Sequence, residues 1–265
     1  MDLDKYFADL HGHEERPIVR MPEGWGQGRA VFGGLVAAVM MHAVERRSRD
    51  GERVRSILLN FIAPVQPGEL DISITCLRQG KSVSFYKVEA GQDGNIAVIM
   101  QVTLGLARDE QLQMQALRPH NLTSPESAIV LPYLPGVTPE FTRHFDYRWA
   151  EGPMPYTSSR EAHIGGWIRF RQSPEAVMPA YLLMLSDAWP PACLSLLSAP
   201  TAASSMSWSM DFPQQTTALP GAEWLRYQSR LDYAEEGFAS VDDALYAPDG
   251  QLLMRSRQVV AVFVK

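Results

Sequence analysis

The sequence predicts an α+β protein in which one unit, a mostly buried helix with antiparallel strands, occurs twice. The first sign is the order of patterns: a helix-like segment and strand-like runs occupy residues 1–107, and a similar order returns after residue 142. The second sign is spacing, since Phe61 and Phe212 lie 151 positions apart and Gly94 and Gly250 lie 156 apart. Such recurrence indicates an internal duplication. A chance likeness between two sheets is the alternative.

The bulk composition narrows the class of protein. The 265 residues are 46% hydrophobic and 20% charged, which is enough apolar material for a sizeable core. The net charge is −6 and no basic cluster is present, so nucleic acid is not expected as a partner. The chain has only 2 cysteines, an acidic amino terminus and no apolar run of bilayer length. These features predict a soluble, cytoplasmic protein without membrane insertion.

The first repeat begins with a helix. Residues 33–48 are rich in small and straight-chain residues and end in charges, which predicts a mostly buried helix. Four strand-like runs follow; prolines close the first run and an Asp-Gly turn introduces the last. We expect a meander of four antiparallel strands, at residues 54–64, 68–80, 81–91 and 95–107.

Residues 108–142 separate the two repeats. Gln, Pro and Ser dominate here, and neither helical nor strand periodicity persists. A stretch of roughly 30 residues is longer than a loop inside a compact domain should be. The sequence therefore predicts an N-terminal domain at 1–107, a linker at 108–142 and a C-terminal domain at 143–265.

The second repeat has two early strand-like runs, at 145–152 and 162–172, ahead of its helix. The helix is predicted from the apolar segment "YLLMLSDAWPPACLSLL" that begins at Tyr181. Four further strand-like runs complete the repeat, at residues 205–213, 222–233, 238–248 and 251–265.

One carboxylate, Asp187, interrupts this apolar helix. An unpaired buried carboxylate is costly, so Asp187 is exposed, hydrogen-bonded or functional. The plainest interpretation is that Asp187 ends the helix ahead of Pro190 and is half exposed.

Polar residues on two strands of the second repeat offer partners for this acid. By the period of two, Gln258 lies on the helix-covered face of the last strand, where an amide can also simply cap a backbone group. Ser205, Ser207 and Ser209 share one side of their strand, which is equally typical of a solvated face. Together, an acid, an amide and a hydroxyl group can hold a water molecule, with Asp187 accepting its proton.

Other chemistry finds little support in the sequence. His11 and His13 lack a third ligand at a recognisable spacing, so no metal site is expected. The segment "GWGQG" at Gly24 fails the spacing of a dinucleotide-binding loop, and no cofactor is expected. The G-x-S-x-G turn of the α/β-hydrolases is absent.

Several short motifs resemble the type II acyl-CoA thioesterase family and its thioesterase-like relatives. They are "VFGGLV" at Val31, "NFIAPVQPGE" at Asn60, "LRQGKSVS" at Leu77 and the closing "SRQVVAV". The resemblance covers residues 19–265 and implies a double hotdog fold, in which two long helices are each wrapped by a curved antiparallel sheet.

The resemblance also implies a catalytic trio. The family's aspartate on the second helix falls on Asp187, and its glutamine on the last strand falls on Gln258. The family's Thr or Ser falls on Ser205, or on Ser207 if the alignment slips by two residues. Two departures touch this pattern: Leu35 stands where the family often has Gln, and Ser207 stands where it often has an acid.

The activity implied by the resemblance is hydrolysis of an acyl-CoA thioester by an oriented water molecule, with a backbone N–H at a helix start as oxyanion donor. The expected partners are the acyl-CoA substrate and further copies of the chain in a homo-oligomer. One alternative is a non-catalytic acyl-CoA-binding or scaffold protein. Another is an enoyl-CoA hydratase, which needs an Asp/His pair, although neither His42 nor His163 lies beside Asp187 in the sequence. Met40, Met41, Met184 and Leu185 are candidates either for the acyl pocket or for ordinary core.

Overall fold

One antiparallel sheet of twelve strands runs through the chain in the computed structural model. The model describes residues 1–10, 17–108, 119, 122–213 and 219–263. The helices are α1 (Leu3–Ala8), α2 (Gly33–Glu45) and α3 (Pro179–Asp187), with short 3-10 helices at Glu140–His144 and Ala192–Leu196. The strands of the first half are β1 (Ile18–Met21), β2 (Gly26–Gln27), β3 (Ala30–Val31), β4 (Arg53–Phe61), β5 (Gly68–Gln79), β6 (Val83–Gln92) and β7 (Asn95–Gly105). The later strands are β8 (Ile129–Leu131), β9 (Phe145–Glu151), β10 (His163–Phe170), β11 (Ala176–Val177), β12 (Ala203–Asp211), β13 (Leu219–Pro220), β14 (Leu225–Glu235), β15 (Phe238–Tyr246) and β16 (Leu252–Val262).

The strand order of the first half corrects the predicted meander. The order is β1-β5-β6-β7-β4, so β4 pairs with β7 rather than with its sequence neighbour β5. After β4, the N–H groups of Ile62 and Ala63 both donate to the carbonyl of Ala97, at 2.8 and 3.0 Å. The chain then passes Pro64 and Pro67 instead of forming a tight hairpin. Of the four predicted strands in the described first half, β5, β6 and β7 form a meander and β4 does not belong to it.

The second half repeats this arrangement and confirms the duplication. Its order is β12-β16-β15-β14-β10-β9-β8, in which β12 likewise pairs with the last strand of its own unit. The two halves join where β12 pairs with β4, with Trp208 opposite Leu59. The chain is therefore an α+β double hotdog. Each half is an antiparallel sheet wrapped around a helix, and the two sheets are fused edge to edge.

The two longer helices, α2 and α3, contact each other and form the centre of the core. Met40, Met41, Met184 and Leu185 are all at most 1% exposed, so they belong to this core. Each fully buried side chain of this size contributes roughly 1.5–3 kcal/mol relative to an exposed one. Helix α3 is shorter than α2 because Pro190 and Pro191 cannot continue it.

Part of the predicted linker has its own structure. Strand β8 pairs with β9, with Val130 opposite Arg148, and so adds an edge strand to the second half. The domain limits at 107 and 143 stay a prediction. In the described part of the chain, no helix is long and apolar enough to span a bilayer.

Candidate active site

A β-bulge decides which serine of β12 faces the helices. The register against β16 shifts between Ser205 and Ser207, so that Ser205 lies opposite Val260 and Ser207 opposite Val259. A bulge inserts one extra residue and reverses the alternation of side chains beyond it. Ser205 therefore shares the inner face with Val260, which is 1% exposed, while Ser207 lies on the outer face. The prediction that both serines share one side is wrong for this reason.

Ser205, Gln258 and Asp187 form one chain of hydrogen bonds, and we call these three residues the trio. The Ser205 hydroxyl group donates to Gln258 Oε1 at 2.7 Å. Gln258 Nε2 donates to Asp187 Oδ1 at 3.4 Å. Gln258 is 6% exposed, as expected for the helix-covered face of β16. Residues that are 71 and 53 positions apart in sequence thus meet at one place.

The start of helix α2 lies against the carboxyl group of Asp187. Phe32, the residue before the helix, forms no side-chain cap, and the Gly34 backbone N–H is close enough to the Asp187 carboxyl group to lower its pKa. Two glycines permit this approach. A Cβ at Gly33 would lie 3.1 Å from Asp187 Oδ2, and a Cβ at Gly34 would lie 3.0 Å from Asp187 Cβ. The helix of the first half therefore begins at the acid of the second half, where the partial positive charge of a helix start favours a carboxylate.

Burial makes Asp187 a weak acid. As a whole residue, Asp187 is partly exposed. Protein nevertheless surrounds the carboxyl group so closely that desolvation raises its pKa to about 7. Hydrogen bonds from Gly34 and Gln258 lower the pKa and partly offset the desolvation, while the charge of Asp243 raises it further. An aspartate with a pKa near neutrality is well matched to accepting a proton from water.

A second buried acid, Asp243, was missed by the sequence reasoning. It is 3% exposed and accepts a hydrogen bond from the Tyr227 hydroxyl group at 2.8 Å. The signal was present in "SVDDALY", because Asp243 alternates with Val241 and Leu245 on the apolar face of β15. The same argument that singled out Gln258 applies to Asp243. Gly33 and Gly34 were quoted only as part of a motif, without the close approach that requires them.

The two departures from the family pattern lie apart from the hydrogen bonds of the trio. The side chain of Leu35 is fully buried in the core. Ser207 lies on the outer face of the sheet, opposite Asn60 of β4. Neither residue takes part in the bonds that join Ser205, Gln258 and Asp187.

The histidines considered for other chemistry lie elsewhere. His163 is near Glu151 and Glu161, at 3.9 and 4.0 Å, and His42 contacts the ring of Phe7. His11 and His13 lie outside the described residues. Among the residues that are described, no group of three or more His, Cys, Asp or Glu side chains could hold a metal ion.

Solved structures with the same architecture support the class of the fold. A conserved protein of unknown function with a hot dog fold from Alicyclobacillus acidocaldarius has a TM-score of 0.87 at 18% identity, covering 100% of this chain and 99% of that one. An acyl-CoA thioesterase II, TesB2, from Mycobacterium marinum has a TM-score of 0.77 at 17% identity, covering 98% of both chains. A tesB protein of Mycobacterium avium subs paratuberculosis has a TM-score of 0.78 at 18% identity, covering 99% of this chain and 100% of that one. These likenesses establish a double hotdog protein.

Family models give the more particular assignment. The model of the acyl-CoA thioesterase N-terminal domain matches residues 21–105, and the model of the C-terminal domain matches residues 123–262. The chain belongs to this acyl-CoA thioesterase family. A comparison with curated proteins finds no match.

Proposed function

We propose that the protein hydrolyses a fatty or related acyl-CoA to the free acid and CoA, using a water molecule that Asp187, Gln258 and Ser205 orient. The observation that carries this proposal is the hydrogen-bonded chain Ser205–Gln258–Asp187, which ends in an acid whose pKa is about 7. Membership of the acyl-CoA thioesterase family supports the substrate class.

The hydrogen bonds leave defined places for a water molecule. The single hydroxyl proton of Ser205 is used toward Gln258, so the Ser205 oxygen has acceptor capacity left. Ionised Asp187 accepts from Gly34 and Gln258 and also has capacity left. A water molecule that donates to both oxygens directs a lone pair away from them. That lone pair attacks the thioester carbonyl while Asp187 takes the proton.

The remaining steps need charge stabilisation and a proton for the leaving group. The carbonyl oxygen becomes negative when the new C–O bond forms, and the first turn of α2 lies beside Asp187 with its positive end. Collapse of the tetrahedral intermediate breaks the C–S bond. The proton held by Asp187 passes to the departing sulfur, which restores the carboxylate.

A covalent serine is less well supported. The Ser205 hydroxyl group donates to an amide oxygen, which is too weak a base to activate it as a nucleophile. The hydratase alternative needs a histidine beside the acid, whereas His163 and His42 contact Glu151, Glu161, Glu45 and Phe7. The non-catalytic binding protein is the alternative that an assay must decide.

The proposal is tested by following released CoA thiol from acyl-CoAs of increasing chain length, from acetyl to palmitoyl. The wild type is compared with Asp187→Asn, and the matched control is Asp211→Asn, which changes an exposed acid on β12. We expect release by the wild type and the control, and a loss of at least about 100-fold in Asp187→Asn. Circular dichroism spectra serve to check that each variant is folded.

Two results would contradict the proposal. Equal release by wild type and Asp187→Asn would mean that hydrolysis occurs elsewhere on the protein. Acyl-CoA binding by calorimetry without release at any chain length would favour the non-catalytic binding protein.

A further inference from the structure

A second buried acid, Asp243, lies outside the trio. It lies on the inner face of β15 at 3% exposure, in the core of the second half. It accepts a hydrogen bond from the Tyr227 hydroxyl group at 2.8 Å and a long one from the Ser256 hydroxyl group at 3.5 Å, and the Ser229 hydroxyl group also lies close enough to affect its pKa. A carboxylate buried among hydroxyl groups costs stability compared with a packed aliphatic side chain. A costly acid close to a reactive one is a candidate for function.

Asp243 is connected to Gln258 through strand β16. Asp243 lies opposite Ser256 in the ladder between β15 and β16, and Val241 lies opposite Gln258. Ser256 and Gln258 are two positions apart on one strand and are 4% and 6% exposed, so they share the inner face. Two positions along a strand correspond to about 6.6 Å. The long contact from Ser256 to Asp243, at 3.5 Å, therefore links Asp243 to the inward-facing position next to the amide of the trio.

A second connection runs from Asp243 to the segment that carries Asp187. The ring of Tyr227, whose hydroxyl group donates to Asp243, stacks on Trp189 with centroids 5.0 Å apart and planes 5° apart. Trp189 follows Asp187 by two residues. Between them, Ala188 accepts a hydrogen bond from the Tyr147 hydroxyl group at 3.1 Å. Asp243 is thus connected, through one aromatic pair, to the end of the helix on which Asp187 lies.

We propose that Asp243 is a positioning residue for hydrolysis, which holds Gln258 through Ser256 and the Asp187 segment through Tyr227 and Trp189, and which acts on Asp187 through its buried negative charge. This inference rests on the proposed function, because it assigns a role in the same reaction. In this role, Asp243 does not contact the substrate. Its effect is on where Gln258 and Asp187 lie and on how strongly Asp187 holds a proton.

The tyrosine and cysteine side chains around the two acids keep their protons near neutral pH, so Asp187 and Asp243 are the members of this group that change charge there. Asp187 is faced by Asp243 from β15, by Tyr147 from β9 and by Tyr227 from β14. Burial raises the pKa of both tyrosines well above 10, so they stay protonated. Asp243 is also near the Cys193 thiol, whose pKa burial raises to about 11, and near the charge of Asp242. Burial raises the pKa of Asp243 itself to about 6, so both acids titrate near neutral pH.

The sign of the charge effect follows from the negative charge that ionised Asp243 carries. Negative Asp243 disfavours the ionisation of Asp187 and keeps it a stronger base. Replacing Asp243 by Asn removes the charge but keeps an oxygen that accepts from Tyr227. The pKa of Asp187 should then fall. The acid limb of the pH profile, where kcat declines as the pH is lowered, should therefore move to lower pH. A weaker and less well-placed base should also lower the plateau rate.

The test measures kcat and KM from pH 5 to pH 9 for the wild type, Asp243→Asn and Asp242→Asn. Asp242 is the matched control, because it lies next in sequence on the outer side of β15 and pairs with Arg257 at 3.4 Å. We expect Asp243→Asn to lower the plateau kcat about tenfold, to change KM less than about twofold, and to move the acid limb down by about 0.5 pH unit or more. Asp242→Asn should follow the wild type.

Two outcomes overturn the proposal. One is an Asp243→Asn profile that overlays the wild type with kcat within about twofold. The other is a lower kcat with an unmoved acid limb, which is the signature of a merely structural acid. If Asp243→Asn does not fold, Tyr227→Phe provides a second test, because it keeps the ring on Trp189 and removes a donor that lowers the pKa of Asp243, so that less Asp243 is ionised when Asp187 titrates. It should lower kcat and move the limb in the same direction, and no movement would overturn the proposal.

A titration without substrate separates this inference from the proposed function. Carbon-13 NMR of labelled aspartate carboxyl groups, assigned with Asp187→Asn, reports the pKa of Asp187 directly. A lower pKa in Asp243→Asn supports the coupling even if Asp187→Asn turns out to hydrolyse acyl-CoA normally. An unchanged pKa overturns the coupling even if the assay confirms Asp187 as the base.

Discussion

The carboxyl group of Asp187, at the end of helix α3, lies against Gly33 and Gly34 at the start of helix α2, where the Gly34 backbone N–H lowers its pKa. Each half of the duplicated chain therefore supplies one side of the candidate site. The acid comes from the second half, and the helix start that faces it comes from the first. An isolated half would lack one of these two parts.

This contact makes Gly34 sensitive to substitution. A Cβ at residue 34 would lie 2.5 Å from the Phe32 ring and 3.0 Å from Asp187 Cβ. We expect Gly34→Ala to lower the free energy of unfolding by about 1–3 kcal/mol, as overpacking does, and to lower kcat by displacing Asp187. Thermal unfolding and the thiol-release assay measure both effects. The control is Gly26→Ala, whose Cβ would be 3.4 Å from the flexible Glu140 side chain. If Gly34→Ala matches this control in both measurements, the contact is not important.

The bulge in β12 predicts different effects for two neighbouring serines. Ser205→Ala removes the hydroxyl group that bonds to Gln258 and faces the proposed water, so we expect kcat to fall about 10–100-fold, which corresponds to ~1.4–2.7 kcal/mol. Ser207→Ala changes the outer face and should leave kcat within about twofold of the wild type. Steady-state kinetics of both variants provide the measurement. The reverse order of effects would assign the hydroxyl role to Ser207.

The rate of hydrolysis should depend on the protonation of Asp187. A general base works only when ionised, so kcat/KM should be lost as the pH falls through about 7, the raised pKa of Asp187. The measurement is a pH–rate profile with one acyl-CoA at concentrations well below KM. A profile that stays flat from pH 8 down to pH 5 would be incompatible with Asp187 as the base.

The same pKa predicts how Asp187 affects stability. Its pKa is about 7 in the folded protein, against a usual value of 3.8, so the folded state holds its proton more tightly than the unfolded state does. Ionised Asp187 therefore lowers stability as the pH rises from 3.8 to 7, and the penalty is fully present above pH 7. Asp187→Asn should raise the Tm relative to the wild type by more at pH 8 than at pH 4.5. Scanning calorimetry at both pH values tests this, and a difference in Tm that does not change with pH would contradict it.

Much of the fold was predictable because it depends on local patterns. The helix at Gly33–Glu45, the four strand positions of the first half and the return of the same order later all follow from periodicity and turn residues. The pairing of β4 with β7 was not predictable in this way, since periodicity does not identify a partner strand. The predicted homo-oligomer stays a prediction.

The candidate site was predictable only in part. Asp187 and Gln258 drew attention as polar residues among apolar neighbours, and the resemblance to the family joined them to a serine. The choice between Ser205 and Ser207 depends on a bulge, which adds one residue without any mark in the alternating pattern. The meeting of Asp187 with Gly34 depends on how the two halves pack, which no local pattern determines.

The most direct test of the central claim is a single turnover of acyl-CoA by excess protein in oxygen-18 water. If Asp187 delivers water to the thioester carbonyl, the first acid formed carries one oxygen-18 atom, and the mass of the intact protein does not change during the turnover. A first product without oxygen-18, with the label found instead in Asp187, would show that the carboxylate attacks directly. An acyl adduct on Ser205 would show a covalent serine, and either result would contradict the account.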